Sequence, residues 1–201
     1  KVVMSFGLLG RGKGLETIIL ALPGLVRRVP EAMYAIVGRT HPEVAKLEGE
    51  SYREELRALA AELGVEDRLV MIDRYMGENE LAEMLTACDV YATPYPGMGQ
   101  ITSGTLAYAV GLGRPVLSTP YVYARDLLAD CPELLVPPAD PGAWTEALAS
   151  LLGSRETRER IERRIARIGA NMNWPSVGRA HLDLFRRVAR VPDIAARTAE
   201  A

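Results

Sequence analysis

The sequence contains few of the residues that build metal sites and disulfides. Its 201 residues include two cysteines, Cys88 and Cys131, and two histidines, His41 and His181. This is too few for a disulfide framework, and no Cys-x-x-Cys pair or Cys/His cluster indicates a zinc site. No apolar run approaches the roughly 20 residues of a membrane-spanning helix. We therefore expect a metal-free globular protein of a reducing compartment, the cytoplasm.

Lysine is also scarce, since Lys1, Lys13 and Lys46 are the only three and arginine supplies the remaining positive charge. The formal net charge of −2 argues against a nucleic-acid-binding protein, which normally has an excess of basic residues. A hydrophobic share of 48% and a charged share of 25% are typical of a globular domain with a sizeable core. A buried strand begins almost at Lys1, so we expect a domain taken from a longer protein.

Short apolar segments alternate with helical patterns along the chain. The predicted strands are residues 2–9, 33–37, 69–72, 90–93, 116–118 and 133–136. This alternation predicts an α/β fold, a doubly wound parallel Rossmann-like sheet of about six strands. We expect one domain over residues 1–191, ending in a helix over 174–190, and then a frayed tail over 192–201.

Residues 90–121 predict a strand, a loop rich in Pro and Gly, a helix and a second strand. Thr102 or Ser103 is the expected N-cap of that helix, and its free N–H groups would face an anion in the loop. In open parallel sheets, ligands bind at the carboxyl ends of strands. These residues alone leave two interpretations open, an anion site and an ordinary helix start.

Four segments, in this order, resemble the C-terminal, donor-binding half of the group-1 retaining GT-B glycosyltransferases. They are FGLLGRGKGLETIILA, AIVGRTHP, RLVMIDRYMGENELAEMLTACDVYATP and PYPGMGQITSGTLAYAVGLGRPVLST. The resemblance implies one half of a GT-B fold that binds a nucleotide-sugar as substrate, without a cofactor. It also implies an N-terminal domain outside this sequence that supplies the acceptor site and that the helix over 174–190 reaches. The isolated domain is then expected to be inactive.

The resemblance assigns the donor diphosphate to Lys13, in a loop flanked by Gly12. Family members usually carry an arginine five residues before this lysine, where this chain has Leu8. Arg11 is therefore the candidate for a second cation, because a guanidinium suits phosphate oxygens, and a solvent-facing Arg11 is the alternative. The loop and helix start add Thr102, Ser103, Gly104 and Thr105 as donor-binding residues.

The main departure from the family concerns two glutamates, eight positions apart, that usually contact the transferred sugar and the ribose. These positions are Gln100 and Tyr108 here, within a QITSGTLAYA variant. Glutamine can hydrogen-bond a sugar hydroxyl but cannot supply charge, and tyrosine has one hydroxyl where a carboxylate has two oxygens. Either the donor is held differently, or the usual reaction has been lost.

Three further residues are weaker candidates. Arg74 and Met76 follow the third predicted strand, where relatives hold the base, although an ordinary turn explains them equally well. His41 follows the second strand and is a possible cleft residue. Membrane contact stays open, including a position at the inner membrane face, although the balanced charge of residues 155–167 does not favour it.

Three functions fit these observations. The first is the donor-binding domain of a retaining, metal-independent glycosyltransferase. The second is a non-catalytic nucleotide- or glycan-binding module derived from the GT-B fold. The third is an unrelated nucleotide-binding domain, because a fold alone does not define a function.

Overall fold

The computed structural model describes residues 1–189. Five parallel strands pair in one sheet, and these are β1 (Val2–Phe6), β2 (Met33–Val37), β3 (Leu69–Ile72), β4 (Val90–Thr93) and β5 (Val116–Ser118). Their side chains are mostly apolar on both faces, as expected where helices cover a parallel sheet from both sides. All residues of β4 and β5 are buried, so the sheet forms the centre of the core.

Helices connect and cover the strands. They are α1 (Glu16–Arg28), α2 (Pro42–Glu48), α3 (Ser51–Glu62), α4 (Glu78–Ala87), α5 (Gly104–Gly111), α6 (Val122–Leu127), α7 (Pro141–Gly153), α8 (Arg155–Gly169) and α9 (Trp174–Ala189). Right-handed crossovers set α1 and α3 on one face of the sheet and α4 and α5 on the other. α7 packs on α1, and α8 packs on α5.

The strand order β3-β2-β1-β4-β5 confirms the predicted doubly wound sheet. The chain builds outward from β1 to β3, returns to the centre, and then builds the other way through β4 and β5. β1 and β4 are neighbours, with Val3 opposite Val90 and Met4 opposite Tyr91. The order therefore reverses between β1 and β4, and in open parallel sheets ligands bind at the carboxyl ends of the strands near such a reversal.

The prediction of a sixth strand over residues 133–136 is wrong. Pro132–Leu134 forms a 3₁₀ turn, and Leu135 makes only an isolated bridge to Ser118. Val136 donates one backbone hydrogen bond to the Ser118 carbonyl at 2.8 Å. Pro137 and Pro138 follow directly, and the pairing cannot continue because proline has no N–H group.

The helix termini follow local capping chemistry. Asp140 caps α7, since its Oδ1 accepts the Ala143 N–H at 2.9 Å. The short helix α2 was not predicted. α9 accounts for the predicted terminal helix as far as Ala189, and the predicted frayed tail lies outside the described residues.

α9 leaves its apolar side chains exposed. These are Trp174, Leu182, Leu184, Phe185 and Val188. None of the helices within residues 1–189 has both the length and the apolar character needed to cross a bilayer.

We expect Gly169→Ala to destabilise the protein, because α8 crosses the backbone of α5 at this residue. A β-carbon at Gly169 would stand 2.1 Å from the Val110 carbonyl oxygen, so α8 would have to move away from α5. The expected loss is about 1–3 kcal/mol in the free energy of unfolding, measured by urea denaturation. Gly153→Ala is the matched control, since a β-carbon there meets nothing within 4 Å. Equal stability of the two variants would contradict this packing.

Candidate functional site

The loop after β1 lies against the loop after β4, at the point where the strand order reverses. Lys13 ends a 3₁₀ turn, Arg11–Lys13, and Gly14 follows with a φ of 59°. A β-carbon at Gly14 would be 2.4 Å from the Pro94 carbonyl oxygen, so only glycine permits this approach of the two loops. Lys13 is thereby directed toward the residues that begin α5.

A chain of polar contacts links Lys13 to the start of α5. The Lys13 ammonium donates to the Tyr95 hydroxyl at 2.8 Å and lies 4.5 Å from the centre of the Tyr95 ring. The Tyr95 hydroxyl is 2.8 Å from Thr105 Oγ1, which is 3.3 Å from Ser103 Oγ. The structure thus brings Lys13 close to Ser103 and Thr105, which lie on a different segment of the sequence.

Ser103 is the N-cap of α5, as predicted, and its Oγ accepts the Leu106 N–H at 3.3 Å. The first N–H groups of a helix have no partner inside the helix and carry partial positive charge. A β-carbon at Gly104 would meet nothing within 4 Å, so ligand atoms have room there. This helix start can therefore receive an anion.

The charge of Lys13 is not balanced by an acid. Lys1 and Lys46 each pair with a carboxylate, of Asp89 and Glu43 respectively. Within residues 1–189, no carboxylate lies within 4.0 Å of the Lys13 ammonium, whose one hydrogen-bond partner is the neutral Tyr95. Lys13 and the start of α5 thus form a site of net positive charge.

A cleft of about 260 Å³ adjoins this site through Gly7 and Leu8. Its other walls include Arg39, Arg74, Tyr75, Met76 and Tyr108. Three of these residues, Arg74, Met76 and Tyr108, are predicted donor-binding residues. The cleft is mostly apolar with a few polar groups, which is the usual character of a small-molecule site.

The polar residues of the cleft differ in their partners. Arg74 forms a forked ion pair with Glu80, whose hydrogen bond raises the pKa of the guanidinium. Tyr108 is 46% exposed and meets the Phe6 ring edge-on, with 6.4 Å between ring centres. Arg39 is exposed and has no ion pair or side-chain hydrogen bond with any described residue. Arg39 is therefore the cleft cation that is free for a ligand.

Arg11 is engaged on α3. Its guanidinium donates two hydrogen bonds of 2.7 Å to Glu55 and one of 3.4 Å to Glu48. The Glu55 hydrogen bond raises the pKa of Arg11. The ion pair fastens the Lys13 loop to α3, and a phosphate contact by Arg11 would require its release from Glu55.

The remaining predicted residues lie in the same loops or outside the cleft. Gly12 is exposed with open space around it, and Thr102 is exposed before the N-cap. Gln100 Nε2 donates to the Thr102 carbonyl at 2.7 Å, which folds the loop on itself. His41 is not among the residues that line the cleft, and its Nδ1 accepts the Glu43 N–H at 3.2 Å to cap α2.

Arg53 joins the loops that form one side of the cleft. It is 2% exposed, and its Nη2 donates to the Gly38 carbonyl and to Asp73, both at 2.9 Å. Its Nε donates to Glu50 at 3.1 Å. Hydrogen bonds from Thr40 and then from Arg53 lower the pKa of Glu50. One buried guanidinium thus holds the loops after β2 and β3, which carry Arg39 and Arg74.

A family model described as "Glycosyl transferases group 1" matches residues 1–167. The chain belongs to this family. It is 28% identical over 195 residues to D-inositol 3-phosphate glycosyltransferase of Corynebacterium urealyticum, an alignment that covers 96% of this chain and 44% of that protein. The chain therefore spans less than half the length of that relative.

Two solved structures show the same fold. Anabaena Alr3699/HepE in complex with UDP and glucose superposes with a TM-score of 0.78 at 18% identity, over 94% of this chain and 48% of that one. The C-terminal domain of the group 1 family protein LpcC from Francisella tularensis gives a TM-score of 0.70 at 17% identity, over 85% and 84% of the two chains. This group 1 chain has the α/β fold of a GT-B glycosyltransferase domain.

Sequence reasoning missed Gly7, Arg39 and Tyr95. Gly7 directly follows β1, and a glycine at the end of a strand often marks a place where another backbone or a ligand comes close. The sequence therefore contained a weak indication of its role. Arg39 follows β2 in the loop from which His41 was selected. Tyr95 sits between two prolines and is 3% exposed, and nothing in the local sequence indicates its contact with a lysine 82 residues away.

We expect Arg53→Met to lower the free energy of unfolding by about 2–3 kcal/mol, because it removes a buried charged donor from three acceptors. Burial of the methionine side chain offsets part of the lost packing, and the half-exposed Asp73 and Glu50 regain water. Arg57→Met is the control, since Arg57 is exposed on the same helix and should change stability by less than about 0.5 kcal/mol. Urea unfolding of both variants measures the difference, and equal values would exclude a role for Arg53 in holding these loops.

Proposed function

We propose that this chain is the donor-binding domain of a retaining glycosyltransferase, which transfers a sugar from a nucleotide-sugar to an acceptor. The observation that carries the proposal is the contact between Lys13 and Tyr95, which joins an unbalanced cation to the start of α5. It lies at the reversal of strand order, beside a cleft large enough for part of a nucleotide. Family membership supports the same class of reaction.

In the proposed reaction, the bond between the sugar and the terminal phosphate breaks, and negative charge accumulates on the departing diphosphate. The Lys13 ammonium, the N–H groups at the start of α5 and the hydroxyls of Ser103 and Thr105 would receive this charge. These groups are already oriented in the folded protein, so little reorganisation accompanies the reaction. The proposal involves no metal ion, because these groups supply the positive charge.

The proposal assigns the nucleoside to the adjoining cleft. Backbone groups near Arg74 and Met76 would contact the base, and the exposed Tyr108 hydroxyl would contact the ribose. Gln100 would offer its amide oxygen to the transferred sugar. That UDP is bound by Anabaena Alr3699/HepE, which shares this fold, makes UDP a reasonable first probe.

The proposed enzyme also needs a second domain for the acceptor. The matched region makes up 44% of the Corynebacterium urealyticum relative, which supports such a domain. We propose that the exposed apolar side chains of α9, including Trp174 and Phe185, pack against it. The proposed location is the cytoplasm, with work at the inner membrane face left open.

The replacement of both family glutamates by Gln100 and Tyr108 favours one alternative, a module that binds a nucleotide or glycan without catalysis. Both functions predict that a nucleotide binds, so a measurement of sugar transfer is needed to distinguish them.

We expect Lys13→Met to weaken UDP or GDP binding by about tenfold or more, because a charge-assisted contact to the diphosphate is lost. Lys46→Met is the matched control, since Lys46 is exposed and pairs with Glu43 on α2. Calorimetric titration and ligand-dependent shifts in Tm measure the effect, since a ligand stabilises the native state by RT ln(1 + [L]/Kd). Failure of both nucleotides to bind, or equal affinity in the two variants, would contradict the proposed site.

For the complete enzyme, we expect Lys13→Met to lower kcat/KM with a nucleotide-sugar by about a hundredfold or more, the usual effect of removing one group that stabilises developing negative charge. Lys46→Met should retain wild-type turnover. A screen of UDP- and GDP-sugars provides the measurement. Nucleotide binding without turnover of any donor would favour the non-catalytic alternative.

A further inference from the structure

Tyr95 is buried beneath Lys13, the side chain on which the proposed function most depends. Its ring stacks on Tyr121, with 5.5 Å between ring centres and 17° between the planes. Its hydroxyl lies within 2.8 Å of both the Lys13 ammonium and Thr105 Oγ1. Tyr95 is therefore a fixed residue with one polar atom, shared between two groups of the anion site.

The contacts of Tyr95 allow a chain of hydrogen bonds that runs from Lys13 to Thr105. The Lys13 ammonium has donors and no acceptor, so it donates to the Tyr95 oxygen. The Tyr95 hydroxyl has one further partner among the described residues, Thr105 Oγ1, and we take Tyr95 as the donor of that bond because its own oxygen already accepts from the lysine. Thr105 then accepts this bond, and its own proton is available to Ser103 Oγ, 3.3 Å away, or to a ligand.

The same argument applies at the N-cap. Ser103 Oγ accepts the Leu106 N–H and lies 3.3 Å from Thr105 Oγ1, so one of these two hydroxyls can donate to the other and the remaining proton is left for a ligand. A hydroxyl can donate or accept, and a neutral ligand could meet either. Here the contact of Lys13 with Tyr95 favours the arrangement in which Thr105 accepts from Tyr95 and one hydroxyl of the Thr105–Ser103 pair donates to the ligand, which suits an anion.

We propose that Tyr95 is a positioning residue for diphosphate binding, which holds the Lys13 ammonium in place and orients the Thr105 hydroxyl as a donor. This inference rests on the proposed function. It adds that a neutral phenol is needed beneath the lysine, because a carboxylate there would neutralise the charge that the ligand must meet.

The test is the variant Tyr95→Phe, titrated with inorganic pyrophosphate and with UDP. Phenylalanine keeps the ring between Tyr121 and Lys13, so only the hydroxyl is lost. We expect both ligands to bind about tenfold more weakly, the effect of one lost hydrogen bond to a charged group. Pyrophosphate carries no base or ribose, so its response reports on the diphosphate site alone.

A double-mutant cycle separates orientation from general destabilisation. Tyr95→Phe and Thr105→Val break the same chain of contacts, so their losses of UDP affinity should be less than additive in the double variant. Thr105→Ser keeps the hydroxyl and should bind UDP more tightly than Thr105→Val. Additive losses in the double variant would show that Tyr95 acts independently of Thr105 and would overturn the proposal.

Tyr34→Phe is the matched control for a lost buried hydroxyl. Tyr34 is fully buried, and its hydroxyl donates to Ser5 Oγ at 3.0 Å without contacting Lys13. It should change Tm but not pyrophosphate affinity. Wild-type affinity in Tyr95→Phe, with weak binding in Lys13→Met, would refute the role of Tyr95 and leave the proposed function standing. Absence of binding by the wild-type chain would refute both.

Discussion

Gly7 follows the central strand β1, and a β-carbon there would lie 3.3 Å from the Lys13 ammonium and 3.4 Å from a Thr105 methyl carbon. Its φ of +124° is also one that residues with side chains rarely adopt. Because this space stays empty, Lys13 can fold back over the end of β1 and meet the side chains of α5. The positive site depends on this missing side chain as much as on the lysine itself.

Gly38, which follows the neighbouring strand β2, must also lack a side chain. With a φ of +133°, it presses so closely on Gly7 that a β-carbon would be 2.1 Å from the Gly7 carbonyl oxygen. The Gly38 carbonyl in turn accepts a hydrogen bond from Arg53. The anion site and the cleft are therefore coupled through two glycines and one buried guanidinium.

The features that were predicted correctly depend on residues that are close together in the sequence. The βαβ unit over residues 90–121 and the Ser103 cap depend on neighbours in sequence, and both are confirmed. The sixth strand failed although Leu134, Leu135 and Val136 are apolar, because a strand also needs its own N–H groups to pair with a neighbour and the two following prolines have none. Arg11 and Tyr95 could not be assigned from sequence, because their partners, Glu55 and Lys13, are brought near only by the tertiary fold.

The resemblance to the family pattern implies that charges of both signs are missing from the site. Leu8 stands where family members usually carry an arginine, and Gln100 and Tyr108 stand at the expected positions of two glutamates, so the implied local charge is more positive by one unit. At an effective dielectric constant of about 20, one unit charge about 8 Å from another contributes about 2 kcal/mol before screening by salt. The implied substitutions therefore favour an anion at Lys13 and leave no carboxylate at the position expected beside the transferred sugar. In the proposed reaction, the departing diphosphate is then the nearest negative group to the cationic sugar, and the contacts that hold it at Lys13 also determine how closely it can stabilise that cation.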